Sequence, residues 1–139
     1  TKNLFLKDKK GALFLLSALG ASQIDLTAVS KLVGAGRFTF CSADLLLAHL
    51  GVTPGSVTLY ALINDTGARV RVLLDEGLFA HALVNFHPLT NAATTAITPT
   101  DMLRFLAATG HDPTRLAFAP DGTPTLIDPS GAPAHVEAD

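Results

Sequence analysis

The sequence predicts an α+β domain, built on a mixed, largely antiparallel sheet with flanking helices. Polar turns at residues 8–11 and 64–67 each join two apolar stretches, which predicts hairpins, and helical segments separate them. Composition agrees, because 139 residues that are 48% hydrophobic and 16% charged suffice for one buried core. The apolar runs fall short of the roughly 20 residues that a membrane helix needs.

The first part of the chain predicts a hairpin followed by a short helix. Residues 2–7 and 12–16 predict two strands, and the second is apolar enough to be buried on both faces. Asp25 is a suitable N-cap for a helix that ends at the glycines of residues 34–36.

The middle of the chain alternates strands and a helix. Residues 37–40 alternate as a strand does, and Ser42 caps a second helix that ends at Gly51. A tight turn follows over residues 52–55, because proline fixes φ and glycine accepts positive φ. The most regular strand pattern covers residues 56–63, and residues 69–74 are expected to pair back on it.

The last third predicts a pocket-lining strand and a third helix. Residues 78–85 fit a helix or a strand, and His87 should be extended because a proline follows it. The small and β-branched residues 91–97 are typical of an edge or pocket-lining strand. Thr98 and Pro99 begin the third helix, which ends at Gly110.

The predicted domain covers residues 1–118. Residues 119–139 are rich in proline and glycine, and we expect a loosely packed or disordered tail there. Because the chain begins inside a predicted strand and without methionine, we also expect an N-terminal segment to be missing.

Charge is unevenly distributed along the sequence. Residues 1–37 hold six cations and two carboxylates, a net +4, whereas the whole chain carries −2. A basic N-terminal part could dock one polyanion locally. A solvated charged hairpin fits the same charge pattern equally well.

Several kinds of chemistry find no support in the residues. Cys41 is the only cysteine, so no intrachain disulfide can form, and we expect a cytoplasmic protein. The histidines lack the close spacing of metal ligands, and we expect no metal and no cofactor. There is no Gly-x-Ser-x-Gly elbow, P-loop or dinucleotide fingerprint. Cys41 is interpreted as a buried structural thiol, with a nucleophile as the alternative.

Three blocks carry a resemblance to a known family. They are Thr-Lys-Asn-Leu-Phe-Leu-Lys-Asp at residues 1–8, Gly-Val-Thr-Pro-Gly-Ser-Val-Thr at 51–58 with Asn-Asp at 64–65, and Asn-Phe-His-Pro-Leu-Thr-Asn at 85–91. They resemble the signature blocks of the YbaK and prolyl-tRNA synthetase editing-domain superfamily. Within it the chain is most similar to freestanding Ala-tRNA(Pro) deacylases, over residues 1 to about 118.

The resemblance implies hydrolysis of the ester between an amino acid and the terminal ribose of tRNA. That ester is already activated, so positioning water and stabilising the oxyanion can suffice without a covalent nucleophile. By resemblance, Lys2 contacts a phosphate or ribose, and Asn3 makes a polar contact near the ester. His87 orients water or holds the substrate. Backbone amides of the loop from Gly51 to Gly55 face the aminoacyl carbonyl as an oxyanion site.

The implied partner is the acceptor end of tRNA(Pro), with prolyl-tRNA synthetase or an elongation factor as a possible protein partner. Lys2, Lys31 and Arg37 are the candidate tRNA-binding residues, although a plain surface role suits Lys31 and Arg37 almost as well. No membrane and no DNA partner is expected.

Specificity is expected to come from size. Asn91, Thr94 and Ile97 are the candidates to line a pocket that admits alanine and excludes proline. Deacylation of Cys-tRNA(Pro) is a close alternative, because cysteine is only slightly larger than alanine. A domain that binds tRNA or a synthetase without hydrolysing anything is the second alternative.

Overall fold

A computed structural model describes residues 1–86 and 95–127 of the chain. Its main feature is a six-stranded mixed sheet with the strand order β3-β1-β2-β4-β7-β8. The strands are β1 (Lys2–Lys7), β2 (Leu13–Ala18), β3 (Thr39–Phe40), β4 (Val70–Asp75), β7 (Thr114–Phe118) and β8 (Pro124–Ile127), and a separate antiparallel pair comprises β5 (Val84–Phe86) and β6 (Thr95–Ile97).

The pairing in the main sheet confirms the predicted α+β class with a mixed, largely antiparallel sheet. The three outer pairs, β1 with β3, β1 with β2 and β7 with β8, are antiparallel. The two central pairs, β2 with β4 and β4 with β7, are parallel. Parallel neighbours need long crossover connections, and the helices lie in those connections.

The β1–β2 hairpin forms as predicted, and every residue of β2 is buried. Asp8 holds its turn, because one carboxylate oxygen accepts the backbone N–H groups of Lys10 and Ala12 at 2.9 Å. The other oxygen accepts the N–H of Gly36 at 3.2 Å. Burial acts to raise the Asp8 pKa, but these hydrogen bonds, helped by Lys10, lower it overall. The charged form of Asp8 therefore ties the hairpin turn to the loop after the first helix.

Three α-helices flank the sheet, namely α1 (Leu26–Leu32), α2 (Ala43–Leu50) and α3 (Pro99–Ala108). The predicted caps are confirmed: the side chains of Asp25, Ser42 and Thr98 each accept the N–H of the residue three positions later. Gly51 ends α2 in the left-handed region with φ 69°.

The two faces of the sheet pack into separate cores because side chains alternate along each strand. The face towards α1 buries Leu6, Phe14, Leu16, Val29, Leu73 and Leu116. The opposite face packs against α2 and α3, and its core includes Phe5, Leu13, Leu15, Leu46, Leu50, Val72, Leu74, Met102 and Leu106.

The predicted strand over residues 56–63 is wrong. The chain there forms two 3₁₀ helices, Pro54–Ser56 and Leu59–Asn64, and β4 pairs with β2 and β7 instead of forming a hairpin. Leu59 and Leu62, three residues apart, are buried, whereas Ile63 is 58% exposed. That spacing is the period of a 3₁₀ helix, and a short apolar run cannot distinguish it from a strand.

The sheet also continues past Phe118, where the sequence predicted a loose tail. β8 pairs with β7 across a turn in which Asp121 accepts the N–H of Thr123 at 2.9 Å. Gly122, at φ 93°, accepts the N–H of Asp25 at 3.0 Å and so ties this turn to the start of α1. Residues 128–139 lie outside the described part of the chain.

The segment from residue 76 to residue 97 resolves an ambiguity in the sequence. Glu76–Ala80 is a 3₁₀ helix and Val84–Phe86 is the strand β5, so residues 78–85 contain both kinds of structure. Thr95–Ile97 pairs with β5 as β6, which agrees with the strand expected at residues 91–97 for its described part. No helix in residues 1–86 and 95–127 has the length and hydropathy to cross a membrane.

Candidate active site

Asn3 is an uncharged polar side chain that β1 presents to the face of the sheet that packs on α2. It lies on the same side as Phe5 and directly opposite Ser17 of β2. The buried Ser17 hydroxyl donates a hydrogen bond of 2.6 Å to Asn3 Oδ1. This bond fixes the carboxamide and directs its NH₂ group, which is a donor, away from Ser17.

A cavity of about 300 Å³ opens beside Asn3. Its other lining residues are almost all apolar and come from β1, β3, α2 and the segment after α2: Leu4, Phe5, Phe40, Cys41, Leu46, Pro54 and Val57. Phe40 is 61% exposed, whereas Leu46 is buried. The structure therefore brings Asn3 together with Pro54 of the predicted glycine and proline loop, in a small apolar site.

The loop of residues 51–55 is held by its own hydrogen bonds. The Gly51 N–H donates to the carbonyl of Leu47 at 3.0 Å, and Asn64 Nδ2 donates to the carbonyl of Leu50 at 2.8 Å. The Gly51 amide is thus engaged by α2 in this structure, and a proline has no N–H to offer. A backbone donor role in this loop is thus left to the amides of Val52, Thr53 and Gly55.

Gly51 has a geometric role of its own at the end of α2. A Cβ atom there would lie 3.0 Å from Asn64 Nδ2, at a backbone φ of 69° that side-chain-bearing residues rarely adopt. Glycine therefore lets the chain leave α2 in the direction that carries Pro54 to the cavity.

Lys2 lies on the other face of β1, the face of Leu4 and Leu6. Its ammonium group donates to the carbonyl of Ser22. The Ser22 hydroxyl in turn donates to Asp75 Oδ2 at 2.6 Å. Lys2 is not among the described residues that line the Asn3 cavity, and its catalytic role stays a prediction.

Three predicted site residues, His87, Asn91 and Thr94, lie outside the described residues. The strand that precedes them is close to the start of β1, because the Thr1 hydroxyl donates to the carbonyl of Asn85. Asn85 is two positions before His87 in the sequence. The roles assigned to these three residues stay predictions.

Ile97 is described and packs, half-buried, against the core on the α2 side. Its strand partner is Val84 of β5. It does not line the Asn3 cavity among the described residues. Val57 and Leu46 do, so apolar walls of this cavity come from α2 and the segment after it, outside the stretch at residues 91–97 where the pocket was predicted.

Lys31 and Arg37 share a groove at the C-terminal end of α1. Both side chains are exposed. Neither lines the Asn3 cavity, so any contact they make with RNA is away from the ester.

Cys41 is half-buried and lines the cavity wall. Burial raises the pKa of the thiol, and nearby Lys7 offsets this only in part. A thiol kept protonated is a poor nucleophile. The structure therefore agrees with a non-nucleophilic Cys41 but puts it at the site.

The sequence analysis missed a buried hydrogen-bonded pair, His111 and Asp65. His111 Nε2 lies 2.8 Å from Asp65 Oδ2, and Thr109 Oγ1 lies 2.7 Å from His111 Nδ1. Asp65 also accepts the backbone N–H groups of Arg69 and Val70 at 3.2 and 2.8 Å. Burial acts to raise the pKa of Asp65, but the bonds from His111 and the two amides lower it overall. The pair anchors the end of the 3₁₀ segment.

Within the described ranges, no three metal-ligating side chains cluster.

Comparison with known proteins identifies the family of this chain. Residues 1–105 match the family model of the aminoacyl-tRNA editing domain. The chain belongs to this family. The match confirms the resemblance to the YbaK and prolyl-tRNA synthetase editing-domain superfamily.

Individual relatives of this editing domain agree. Prolyl-tRNA synthetase associated domain-containing protein 1 of Danio rerio is 43% identical over 85% of this chain, and that of Mus musculus is 42% identical over 85%. The chain spans 65% and 72% of their lengths. Prolyl-tRNA editing protein ProX of Acetoanaerobium sticklandii is 34% identical over 79% of this chain and 68% of its own.

The fold of the editing domain has solved counterparts. A crystal structure of a proposed trans-editing enzyme for prolyl tRNA synthetase superposes with a TM-score of 0.64 at 25% identity, over 81% of this chain and 66% of the other. Hypothetical protein APE2540 superposes with a TM-score of 0.63 at 19% identity, over 84% and 70%, and supports the fold alone.

Ser17 is a site residue that the sequence analysis missed. A hairpin with its turn at residues 8–11 would pair Lys7 with Ala12 and place Leu16 opposite Asn3, whereas the observed register pairs Lys7 with Leu13 and places Ser17 there. Phe40 lies in the strand predicted at residues 37–40 and Val57 in the block of residues 51–58, but neither signal indicates that the two side chains meet at one cavity.

Proposed function

We propose that this editing domain is a trans-editing hydrolase that deacylates mischarged Ala-tRNA(Pro), with water attacking the aminoacyl ester. The observation that carries the proposal is the Asn3 carboxamide, fixed by Ser17 at the edge of a cavity of about 300 Å³. Its NH₂ group can donate to the ester carbonyl and follow it as negative charge develops.

Hydrolysis without a covalent nucleophile suits the residues of the cavity. An aminoacyl ester needs a positioned water and a stabilised oxyanion, which polar groups in a site closed to bulk water can supply. Cys41 is the cavity residue with a nucleophilic atom, and burial keeps its thiol protonated. His87, by resemblance, orients the water, and a backbone amide of the loop at residues 51–55, with Gly55 as the candidate from the resemblance, is proposed to face the oxyanion.

The lining of the cavity supports a small amino acid. About 300 Å³ is at the lower limit of ordinary ligand pockets. The side chains of Leu46 and Val57 line it, and we propose that they form the wall that admits a methyl group and stops a pyrrolidine ring. Exclusion by steric overlap discriminates more strongly than attraction of one methylene, which contributes roughly 1–3 kcal/mol.

The partners follow from the same proposal. The acceptor end of tRNA(Pro) carries the ester, and the names of the relatives connect the family with prolyl-tRNA synthetase. Lys2 is proposed to contact the terminal phosphates or ribose, which requires its ammonium to leave the Ser22 carbonyl.

The decisive experiment is a deacylation assay on tRNA(Pro) charged in turn with alanine, cysteine, serine and proline. We expect rapid hydrolysis of Ala-tRNA(Pro) and survival of Pro-tRNA(Pro). Preference for Cys-tRNA(Pro) would replace the substrate but keep the reaction. A folded protein that binds tRNA(Pro) and hydrolyses none of the four would overturn the enzyme and favour a binding module.

A further inference from the structure

Three surface grooves adjoin one another around the Lys7 end of β1. The first is lined by Lys31 and Arg37, the second by Arg37, Lys7 and Lys9, and the third by Lys7 and Arg69. Arg37 belongs to the first and second grooves, and Lys7 to the second and third. The grooves therefore form one continuous surface, called here the basic surface, with five cationic side chains.

Carboxylates do not neutralise this surface in the described parts of the chain. The ion pairs found there involve other cations, Arg104 and Arg115, and Asp65 is hydrogen-bonded to His111. Asp8 is the carboxylate that lines the middle groove, and its oxygens accept backbone N–H groups. Five cationic side chains and one carboxylate therefore line the three grooves.

The dimensions of the surface favour a polyanion over a small anion. The middle groove alone measures about 600 Å³, twice the volume of the Asn3 cavity. Its cations are spread over three grooves and do not converge on one point, which suits the repeated phosphates of a nucleic-acid backbone.

Lys7, at the centre of the basic surface, lies on the same side of the sheet as the candidate ester site, whereas Lys31 lies on α1, which packs on the other side. Lys7 and Asn3 are four residues apart on β1 and point to one face, which separates them by about 13 Å at the usual rise of a strand. A duplex held at Lys7 could thus extend its 3′ end to Asn3.

We propose that the basic surface binds the sugar-phosphate backbone of the tRNA acceptor stem and directs the aminoacylated 3′ end into the Asn3 cavity. The proposal rests on the proposed function for the identity of the RNA. It adds Lys7, Lys9 and Arg69 to the residues that hold the RNA, and because the proposed contacts are to phosphates, binding should depend strongly on salt.

The test uses uncharged RNA, so that it does not depend on catalysis. A fluorescent acceptor-stem hairpin of tRNA(Pro) is titrated with wild type and with the double variant Lys9→Gln/Arg69→Gln, from 50 to 300 mM salt. Both side chains are exposed, so the fold should be kept. Arg104→Gln, which removes an arginine that is 77% exposed on α3 and outside the three grooves, is the matched control.

We expect the double variant to bind about tenfold more weakly at low salt and to lose roughly 1–2 units of the slope of log K against log salt, with about 0.7–0.9 per lost phosphate contact. The Arg104 variant should match wild type. Equal affinity and slope in the double variant, or tighter binding to anionic lipid vesicles than to the hairpin, would overturn the proposal.

The outcomes separate this proposal from the proposed function. If the protein binds the hairpin through the basic surface but hydrolyses no aminoacyl-tRNA, the RNA-binding proposal is supported and the proposed deacylase function is rejected. A protein that hydrolyses Ala-tRNA(Pro) while the double variant keeps the wild-type salt slope supports the enzyme and rejects the surface.

Discussion

The surface cavities beside the two ends of β1 differ in volume and in charge, although Asn3 and Lys7 lie on one face of the sheet. At the Asn3 end the cavity is about 300 Å³ and its walls are apolar, whereas at the Lys7 end the middle groove is about 600 Å³ and lined by Lys7, Lys9 and Arg37. Cations that grip RNA act equally on correct and incorrect aminoacyl-tRNA, so they cannot discriminate between amino acids. The difference indicates that affinity and specificity are separate properties of this site.

Replacing Asp65 should affect the Asn3 cavity and the basic surface together, because this residue supports the structure beside both. It closes the 3₁₀ segment that follows the cavity loop, and it holds the backbone of Arg69 at the basic surface. Asp65→Ala leaves buried His111 and two amides without their acceptor, so we expect a loss of about 3 kcal/mol in the free energy of unfolding. Urea denaturation at pH 7 measures it.

The control for Asp65 is Asp101→Ala, which removes an exposed ion pair with Arg104 and should change stability by less than about 1 kcal/mol. Because the pKa of Asp65 is lowered in the folded protein, its contribution is full above the ordinary carboxyl pKa of about 4 and is lost as the pH falls further. An Asp65→Ala variant as stable as the Asp101 variant would show that the buried pair stabilises little.

Asn3→Ala should sharpen the comparison by acting on the ester end alone. Loss of one preorganised donor to a developing oxyanion lowers kcat by about 10²-fold. Binding of uncharged acceptor-stem RNA should stay at the wild-type level, since the basic surface is intact. Single-turnover deacylation and RNA titration on the same preparation measure the two effects.

Ser17→Ala is the companion variant for Asn3. It keeps the carboxamide but removes the 2.6 Å bond that fixes it, so we expect a smaller loss in kcat, about tenfold. If Asn3→Ala lowered RNA binding and left the single-turnover rate unchanged, Asn3 would contribute to RNA affinity and not to catalysis. The proposed separation of affinity from catalysis along β1 would then be wrong.

The elements of the fold differ in how well the sequence predicted them. The hairpin and the three helix starts follow from local signals, since the side chains of Asp25, Ser42 and Thr98 each accept an amide N–H three residues away. The central parallel pairs do not, because β4 meets β2 and β7 across long connections that no hairpin signal encodes. The order of the sheet therefore needed the structure.

The candidate site was predicted in part, for a physical reason. Asn3 and the loop containing Pro54 came from blocks of sequence that resemble a family, and the structure brings them to one cavity. The resemblance assigned Lys2 and Asn3 to one site, although neighbouring residues of a strand point to opposite faces of the sheet. The apolar walls come from β1, β3, α2 and the segment after α2, and their meeting depends on the tertiary structure.

Val57→Ala should alter specificity while leaving affinity for RNA unchanged. Removing two methyl groups from the cavity wall enlarges the space for the amino acid, so the rate with 2-aminobutyrate on tRNA(Pro) should rise about tenfold relative to alanine. Proline should gain less, because its ring is also blocked by the rest of the wall. Competition assays with the three charged tRNAs measure the ranking.

Ile97→Ala is the matched comparison, because the sequence placed the sieve at residues 91–97 and the structure puts Val57 on the wall. We expect the Ile97 variant to keep the wild-type ranking. If it admitted 2-aminobutyrate and the Val57 variant did not, the amino-acid pocket would lie at β6.

Substitution of Cys41 gives the smallest expected effect. It distinguishes a nucleophilic role of the thiol from a role in shaping the cavity. Since burial raises its thiol pKa, the group is protonated at neutral pH and takes no part as a nucleophile, and Cys41→Ala should keep activity within about twofold. Sequence analysis alone predicts that alkylation is equally harmless. The structure changes that expectation, because a carboxamidomethyl group on Cys41 would occupy a cavity of only about 300 Å³. Iodoacetamide should therefore inactivate wild type slowly at pH 7 and faster as the pH approaches 9, while Cys41→Ala stays active throughout. Loss of activity in the alanine variant as complete as that caused by alkylation would instead make the thiol the nucleophile, and hydrolysis would then proceed through a covalent acyl-enzyme.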